Sequence, residues 1–355
     1  MRITRLLQRN LTYYWRTNLA VLFGVAAAVA VLAGALLVGD SVRASLRDIF
    51  LERLGKTDHI VTASGFFREK LTDELQAHEG FSSGGFTNVC PLVALEGTVT
   101  HQDSGRRAAR IQVYGVDERF WKFHQKGATP PPRDREILPS TALAQELGAK
   151  AGDGLLLRVE KPSAIPVESL HGRKEDTGRT IRLNVREALP ASALGEFSLR
   201  PQQAAVRAVF VPLKLLQREL EQENKVNTIL VAEIAPADAG QSQGASSAKS
   251  VLQLERILKD KISLEDMGIK LRVLDEQRSI SLENESALLN DSLAEAARET
   301  AAEMGLRTQP VLTYLANSIR SGEREIPDSL VTAFDDENLA RLQDERAAAA
   351  GRRGG

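Results

Sequence analysis

The sequence is poor in residues that commonly build disulfides, metal cages or a charged binding face. It contains a single cysteine, Cys90, which excludes an internal disulfide and a thiolate metal cage. We interpret Cys90 as a small buried apolar side chain. The 46 basic and 47 acidic residues give a formal net charge of -1, so no overall basic field is available to hold nucleic acid. Nucleic acid is therefore not an expected partner.

Motifs of nucleotide binding and catalysis are also missing from the sequence. There is no GxxxxGK[ST] or GxGxxG loop for phosphates. The histidines stand at least 19 residues apart, without a local metal pair such as HExxH. They are His59, His78, His101, His124 and His171. The acidic run Asp335-Asp336-Glu337 is interpreted as a solvated turn. We therefore predict no catalytic, cofactor-binding or metal-binding residues and no enzymatic activity.

One long apolar run near the start is the strongest positive signal. Residues 19–39 read LAVLFGVAAAVAVLAGALLVG, which is 21 positions without a charge. As a helix at about 1.5 Å per residue they span roughly 30 Å, the hydrocarbon thickness of a bilayer. The 18 residues before the run carry four arginines and no acid, whereas the charges just after it balance. By the positive-inside rule the N-terminus is cytoplasmic, and everything after Asp40 lies outside.

An amphipathic leader precedes the apolar run. Apolar residues recur there at three- and four-residue steps, which is typical of a helix lying in the headgroup plane in contact with membrane lipids. They are Ile3, Leu6, Leu7, Leu11 and Tyr14. The alternative is a cleaved signal peptide with Ala33-Gly34-Ala35 as the cleavage triplet, which would release a secreted hydrolase. The 21-residue run is longer than the apolar core of such signals.

After the membrane run the pattern predicts a mixed α/β region. A helical stripe from Val42 to Leu54 stops at Gly55, so the membrane helix is expected to extend outward as a stalk. Two β-α-β-β units follow, the first from His59 and the second from Lys270. Their hairpins, PLVALEGTV…RIQVYGVD and PVLTYLANSI…DSLVTAFD, are similar enough to indicate a weak duplication within one shared sheet. Coincidence between two ordinary hairpins is the alternative.

A β-rich block separates the two units. Strands are expected from Glu136, at Leu155–Val159, at Val206–Leu213 and at Asn227–Ile234, with a helix ending at Leu147. The polar stretches from Pro162 to Arg179 and from Ala237 to Ser247 are expected to be exposed loops.

The fold class we predict is a membrane-anchored α+β protein. It has one N-terminal transmembrane helix with a stalk, a split porter-like α/β domain of two β-α-β-β units, and an inserted β-rich subdomain. The predicted parts are the cytoplasmic leader 1–18, the transmembrane helix 19–39, the first porter-like half with the stalk 40–130, the β-rich insert 131–235, a linker 236–250, the second porter-like half 251–335 and a low-complexity tail 336–355.

Three stretches resemble permease subunits of ABC transporters of the MacB/FtsX/lipoprotein-release type. They are LVGDSVRASLRDIFLERLG from Leu37, REILPSTALAQELGAKAGDGLLLRV from Arg135 and FSLRPQQAAVRAVFVPLKLLQRELEQENKVNTILV from Phe197. The second is the most transferable, since members of that family commonly show a Leu-Gly, x-x-Gly-Asp, strand phrase at the start of the inserted subdomain. The resemblance extends from Arg2 to Phe334 and identifies architecture more strongly than substrate.

The resemblance implies a permease component of the cell (inner) membrane that works with a separate ABC ATPase subunit and with a second copy or a homologous permease. Residues 40–54 would carry motion outward, and the leader 2–15 would touch the ATPase or the inner leaflet. Three further membrane helices normally follow in that family, so we expect this chain to be a fragment or half of a split permease. The alternative is a single-pass membrane-anchored extracytoplasmic binding or sensor module.

Overall fold

The architecture is that of a computed structural model, which describes residues 3–125, 130–161, 178–234, 243–275, 278–284, 289–322 and 324–333. The helices are α1 Ile3–Tyr13, α2 Trp15–Leu54, α3 Lys70–Gln76, α4 Glu79–Ser83, α5 Glu118–Phe123, α6 Thr141–Leu147, α7 Leu213–Glu219, α8 Gln243–Lys261 and α9 Asp291–Glu303. The strands are β1 His59–Arg68, β2 Phe86–His101, β3 Arg107–Val116, β4 Glu136–Pro139, β5 Gly154–Glu160, β6 Gly178–Val185, β7 Ala208–Pro212, β8 Lys225–Glu233, β9 Ile269–Leu274, β10 Ser279–Asn284, β11 Leu312–Ser321 and β12 Arg324–Ala333.

Helix α2 contains both the apolar run and the predicted stalk. Its 40 residues form one helix, which at about 1.5 Å per residue is roughly 60 Å long, about twice the hydrocarbon thickness. Its apolar part is long and apolar enough to cross a membrane. The helix stops at Gly55, whose φ of 63° lies in the left-handed region and whose N–H bonds to the carbonyl of Glu52. The predicted extension of the membrane helix as a stalk is therefore confirmed.

Eight strands form a sheet that partly closes on itself. Their order is β1-β8-β2-β3-β7-β4-β6-β5, and β5 returns to pair with β2. The strands from β2 to β5 in this order therefore make a six-stranded barrel, and β8 and β1 extend it along the first half of β2. Strand β2 serves both parts because it is 16 residues long and has a bulge at Gly97/Thr98. A Cβ at Gly97 would lie 2.9 Å from the carbonyl oxygen of Arg158 on β5, so glycine permits this close pairing.

The eight-stranded sheet separates two apolar cores. The larger core fills the barrel and continues under α3, α4 and α8. The smaller core lies on the other face and is rich in aromatic side chains. Its largest members are Tyr114, Phe120, Trp121, Phe123, Phe197 and Phe210. Residues that alternate along β2 and β3 supply both cores, which is why these strands read as nearly continuous apolar runs.

The structure confirms the membrane-anchored α+β class and corrects several details. Strand β8, which the sequence predicts as part of the β-rich insert 131–235, pairs with β1 and β2. Helices α4, α5 and α7 and strands β6 and β10 are elements that the sequence pattern does not predict, and each is only five to eight residues long. Helix α8 begins at Gln243, within the stretch predicted as a loop, because Leu254 and Ile257 on its later turns are buried in the larger core.

The strands of the second unit also differ from the prediction. In the described residues β9 pairs with β10 and β11 with β12, and none of them joins the eight-stranded sheet. The expected shared sheet is therefore wrong for this part of the chain, because hairpin pairing between neighbouring strands satisfies the backbone locally. The tail from residue 336, the run Asp335-Asp336-Glu337, His171 and most of the stretch from Pro162 lie outside the described residues.

Candidate functional site

The end of the stalk is held by residues 194–202, in the loop between β6 and β7. The side chain of Arg53 is 9% exposed and donates a 2.6 Å hydrogen bond to the carbonyl oxygen of Gln202. Its Nε lies 3.4 Å from a carboxylate oxygen of Glu196. In the opposite direction, the N–H of Ser198 bonds to the Arg53 carbonyl at 3.3 Å. A charged hydrogen bond in a largely buried position is among the stronger single contacts in a protein, so the stalk end and residues 194–202 form one unit.

A buried histidine fixes the turn after the stalk. The Nδ1 atom of His124, just after α5, accepts a 3.2 Å hydrogen bond from the N–H of Lys56. The His124 ring is 3% exposed and packs edge-on against Phe120 and Phe197, with centroid distances of 4.7 and 5.2 Å. A Cβ at Gly55 would lie only 2.6 Å from the same nitrogen. Glycine at this position therefore permits both the left-handed turn and the contact with His124.

The loop that holds Arg53 is itself anchored in the sheet by buried polar groups. The side-chain amide N–H of Gln112 on β3 donates to the hydroxyl of Ser198 at 3.0 Å, and the hydroxyl of Tyr114 donates to the side-chain Oε1 of Gln112. The N–H of Leu199 donates to the Tyr114 oxygen at 3.2 Å. Burial raises the pKa of Tyr114, so its hydroxyl stays neutral and keeps its donor role. These bonds connect the loop that holds the stalk end to β3 in the middle of the sheet.

A second polar cluster ties the other end of β1 to α5 and α7. The carboxylate of Glu69 accepts hydrogen bonds from Arg119, from Gln217 at 2.8 Å and from Lys214 at 3.1 Å. Burial alone would raise the pKa of Glu69, but the bonds from Gln217, Arg119 and Lys214 outweigh it and lower the pKa. Glu69 is therefore ionised at neutral pH. It links the end of β1 to α5 and α7 through hydrogen bonds.

A third cluster joins the segment after α8 to the eight-stranded sheet. The side chain of Asp266 is fully buried and accepts from the N–H, Nε and Nη2 of Arg68 at 3.0, 2.9 and 2.7 Å. Ser263 adds bonds from its N–H at 2.9 Å and from its hydroxyl at 2.8 Å. Burial would raise the pKa of Asp266, but the bonds from Arg68 and Ser263 lower it below its usual range. Asp266 thus connects the segment between α8 and β9 to the end of β1.

The two segments that the sequence analysis singled out, the stalk and the leader, are both helical. The residues that hold the end of the stalk were not predicted. The stalk 40–54 is the outer part of α2, and residues 3–15 of the leader form α1 and the start of α2. Cys90 is completely buried, as predicted. Sequence reasoning missed Arg53, His124 and Asp266 because their partners lie far away in the chain. The only local signal was a basic residue in the last turn of a helix that ends at glycine.

The described histidines are not brought together into one cluster. His59 pairs with Glu233, and His78 lies 3.3 Å from Asp260. His101 lies 3.2 Å from Asp153, and Asp103 is close to both. No sequence pattern indicates this last group, because its members come from two turns that only the barrel brings together.

A family profile and two solved structures are similar to this chain. Residues 19–246 match the sequence profile of the MacB-like periplasmic core domain. The solved periplasmic region of MacB from Actinobacillus actinomycetemcomitans is similar over 70% of this chain and 95% of its own, with 10% identity and a TM-score of 0.33. The extracellular domain of the noncanonic ABC-type transporter YknZ from Gram-positive bacteria is similar over 57% of this chain and 91% of its own, with 12% identity and a TM-score of 0.33. No curated protein sequence matches the chain.

The profile match begins at the start of the apolar part of α2 and ends in the first turn of α8, so it covers the membrane helix, the stalk and the eight-stranded sheet. The protein is thus anchored in a membrane and carries an extracytoplasmic domain. Because the match spans more than half of the 355 residues, this chain belongs to the MacB-like periplasmic core domain family of ABC transporter permease components.

Proposed function

We propose that this chain couples ATP hydrolysis by a separate ABC ATPase subunit to movement of its outer domain, which acts on a substrate outside the inner membrane. The observation that carries the proposal is the unbroken helix α2, which runs from the apolar segment to the junction with the outer domain. At this junction Arg53, Gly55 and His124 hold the end of the helix. A stiff helix whose end is fixed in a folded body transmits displacement instead of absorbing it in a hinge.

The proposal places the N-terminus in the cytoplasm, where the leader meets the inner leaflet or the ATPase. In α1, Leu6, Leu7 and Leu11 are each 57% exposed, which leaves an apolar face for acyl chains. The guanidinium of Arg16 lies 5.5 Å from the ring centroid of Trp15, a pairing suited to the headgroup region.

The partner helices in this proposal come from a second copy of the chain or from a homologous permease. Within α2 the pairs Gly24/Ala28, Ala30/Gly34 and Ala35/Gly39 stand four residues apart, so each pair shares a face of the helix. No atom lies within 4 Å of a Cβ built at Gly24, Gly34 or Gly39, which leaves room for the backbone of another helix. The division of the outer region into halves 40–130 and 251–335, with the insert 131–235 and the linker 236–250, is part of the same proposal.

Orientation is testable by thiol labelling in intact cells. Cys90 is completely buried, so the unmodified chain is its own unlabelled background. In Ser82→Cys, at an exposed position of the outer body, we expect a membrane-impermeant maleimide to react from outside. In Asn10→Cys, at an exposed position of α1, we expect reaction only after permeabilisation. The reverse pattern would overturn the proposed orientation.

Coupling is testable with a helix-breaking substitution in the stalk. Tagged full-length chain is purified from source-cell membranes, and the co-purifying ATPase is identified by mass spectrometry. We expect ATP with vanadate to change the hydrogen exchange of residues 194–202. Ala44→Pro should abolish this change, because proline breaks the helix between the membrane and the junction, whereas Ser45→Ala should preserve it.

Failure to recover an ATPase with the wild-type chain would favour the alternative of a single-pass binding or sensor module. The expectation that the protein is not an enzyme rests on its membership of a family of transporter components. Persistence of the exchange response in Ala44→Pro would instead show that motion reaches the outer body by another route.

A further inference from the structure

Three potential metal ligands converge where the barrel closes. His101 is the last residue of β2, Asp103 lies in the following turn, and Asp153 immediately precedes β5. One ligand atom from each lies within 4.8 Å of the other two. In the described part of the chain no other group of three histidine, cysteine or acidic residues meets this condition.

The distance between the ligand atoms of His101 and Asp153 suits a small divalent cation. Two ligands that each lie about 2.0–2.1 Å from a tetrahedral Zn²⁺ are about 3.3 Å apart. The Nε2 of His101 and the Oδ2 of Asp153 are separated by 3.2 Å. The carboxylate of Asp103 is exposed, and one of its oxygens lies within 4.8 Å of the ligand atoms of the other two residues. We propose that His101, Asp103 and Asp153 form a binding site for a divalent metal ion of the Zn²⁺ class.

The surroundings of the histidine are those of an oriented ligand. The His101 side chain is 8% exposed, and its Nδ1 lies 2.7 Å from the hydroxyl of Ser104. The Ser104 N–H also approaches Nδ1 at 3.3 Å, so in this arrangement Nε2 carries the ring proton toward Asp153. Binding of a cation at Nε2 requires that proton to leave Nε2. When the proton moves to Nδ1, the Ser104 hydroxyl becomes its acceptor and the 3.3 Å contact with the Ser104 N–H is given up. This second hydrogen bond then fixes the tautomer and the ring orientation.

The carboxylate of Asp153 is positioned by the backbone of its own turn. Its Oδ2 accepts a 2.7 Å hydrogen bond from the N–H of Lys150. This bond holds the carboxylate oxygen beside Nε2 of His101.

The backbone fixes the distance between the two turns. His101 pairs with Leu155 in the β2–β5 ladder, and the N–H of Gln102 bonds to the carbonyl of Gly154 at 2.9 Å. A bound ion would add a bridge between the β2–β3 turn and the turn before β5. The site therefore lies at the barrel seam, at the opposite end of β2 from Phe86.

The test compares two His–Asp pairs in the same protein. Tag-free full-length chain in detergent is treated with EDTA, dialysed and titrated with Zn²⁺ by calorimetry, and with Co²⁺ by visible absorption. We expect one site per chain, with a Co²⁺ spectrum of nitrogen and oxygen ligands. Asp103→Asn should weaken Zn²⁺ binding by at least about tenfold. The matched control is Asp260→Asn, which removes the acid beside His78. Among the described residues this second pair is not part of a group of three ligands, so the substitution should leave Zn²⁺ binding unchanged.

Asp103 is exposed, so its substitution is expected to leave the fold intact, as circular dichroism will check. Zn²⁺ should also raise the thermal midpoint of the wild type and of Asp260→Asn more than that of Asp103→Asn. The absence of one-site binding in the wild type, or equal affinities for wild type and Asp103→Asn, would overturn the proposal and leave His101–Asp153 as a structural pair. None of these readouts requires the ATPase.

Discussion

Arg53, in the last turn of the 40-residue helix α2, donates a 2.6 Å hydrogen bond to the backbone carbonyl of Gln202, which is 149 residues further along the chain. Through this bond the stalk is joined to a loop that is anchored in β3 by Gln112 and Ser198. Covalent continuity would link α2 only to β1. The Arg53 contact links it to the centre of the eight-stranded sheet as well.

Removal of the Arg53 side chain should loosen this junction. We expect Arg53→Ala to lower the free energy of unfolding by about 2–3 kcal/mol, since a charged, largely buried donor and its acceptor both lose their partner. The measurement is denaturant unfolding of the full chain in detergent, together with hydrogen exchange at residues 194–202.

The control for Arg53 is on the same helix. Arg43 pairs with Asp40 at 3.3 Å, but both side chains are more than three-quarters exposed. Arg43→Ala should therefore change the free energy of unfolding by less than about 0.5 kcal/mol. Equal effects of the two substitutions would contradict a specific role for Arg53.

Substitution of Gly55 should be more costly than substitution of another glycine with a similar backbone. Gly55→Ala forces a Cβ into the left-handed region, which costs about 1–2 kcal/mol, and brings it 2.6 Å from His124 Nδ1. Gly105 has a φ of 68° with open space around it, so Gly105→Ala carries the backbone cost alone. We expect Gly55→Ala to be at least about 1 kcal/mol more destabilising in thermal unfolding. Equal losses would show that the His124 ring yields without cost.

The Asp266 cluster should make stability depend on acid pH. The folded-state pKa of Asp266 lies below its unfolded value of about 3.9, so its stabilising contribution is complete at pH values well above 3.9. It is lost as the pH falls from there through the folded-state pKa. Asp266→Asn should cost about 3 kcal/mol at pH 7 and progressively less, relative to wild type, as the pH is lowered through this window.

The measurement for Asp266 is the free energy of unfolding between pH 7 and pH 2.5 for both proteins. Asp260→Asn is the control, because the Asp260 side chain is 73% exposed and should give a curve close to that of the wild type. A difference between wild type and Asp266→Asn that stays constant over the whole range would show that the charge of Asp266 is not involved.

The thiol of Cys90 should be inert in the folded protein. The residue is completely buried in the aromatic core, and burial raises its pKa, so almost no thiolate is present at pH 8. We expect reaction with Ellman's reagent to be slower by on the order of a hundredfold or more than in Ser82→Cys, whose added thiol is exposed. One equivalent per chain should appear on unfolding. Rapid modification of the native wild-type protein would mean that the core opens readily.

Much of the fold follows from local pattern in the sequence. The uncharged run and the stripe to Gly55 predict α2, and the alternation on either side of the turn at Gly105 predicts the β2–β3 hairpin. Strand β8 is predicted as part of the β-rich insert, but it pairs with β1 and β2, because a short apolar strand does not specify its partner. The candidate site was predicted only as a segment, since Arg53, His124 and Asp266 gain their roles from contacts that span between 68 and 198 residues.

By itself the sequence determined that this protein has a membrane helix, a stalk and an α/β outer region, because hydrophobic length and periodicity are properties of neighbouring residues. Only the tertiary structure decided which strands close the barrel, which loop holds Arg53, and that His101 meets Asp103 and Asp153. These outcomes depend on how distant segments share one sheet and two cores, and that competition is settled by packing of the whole chain.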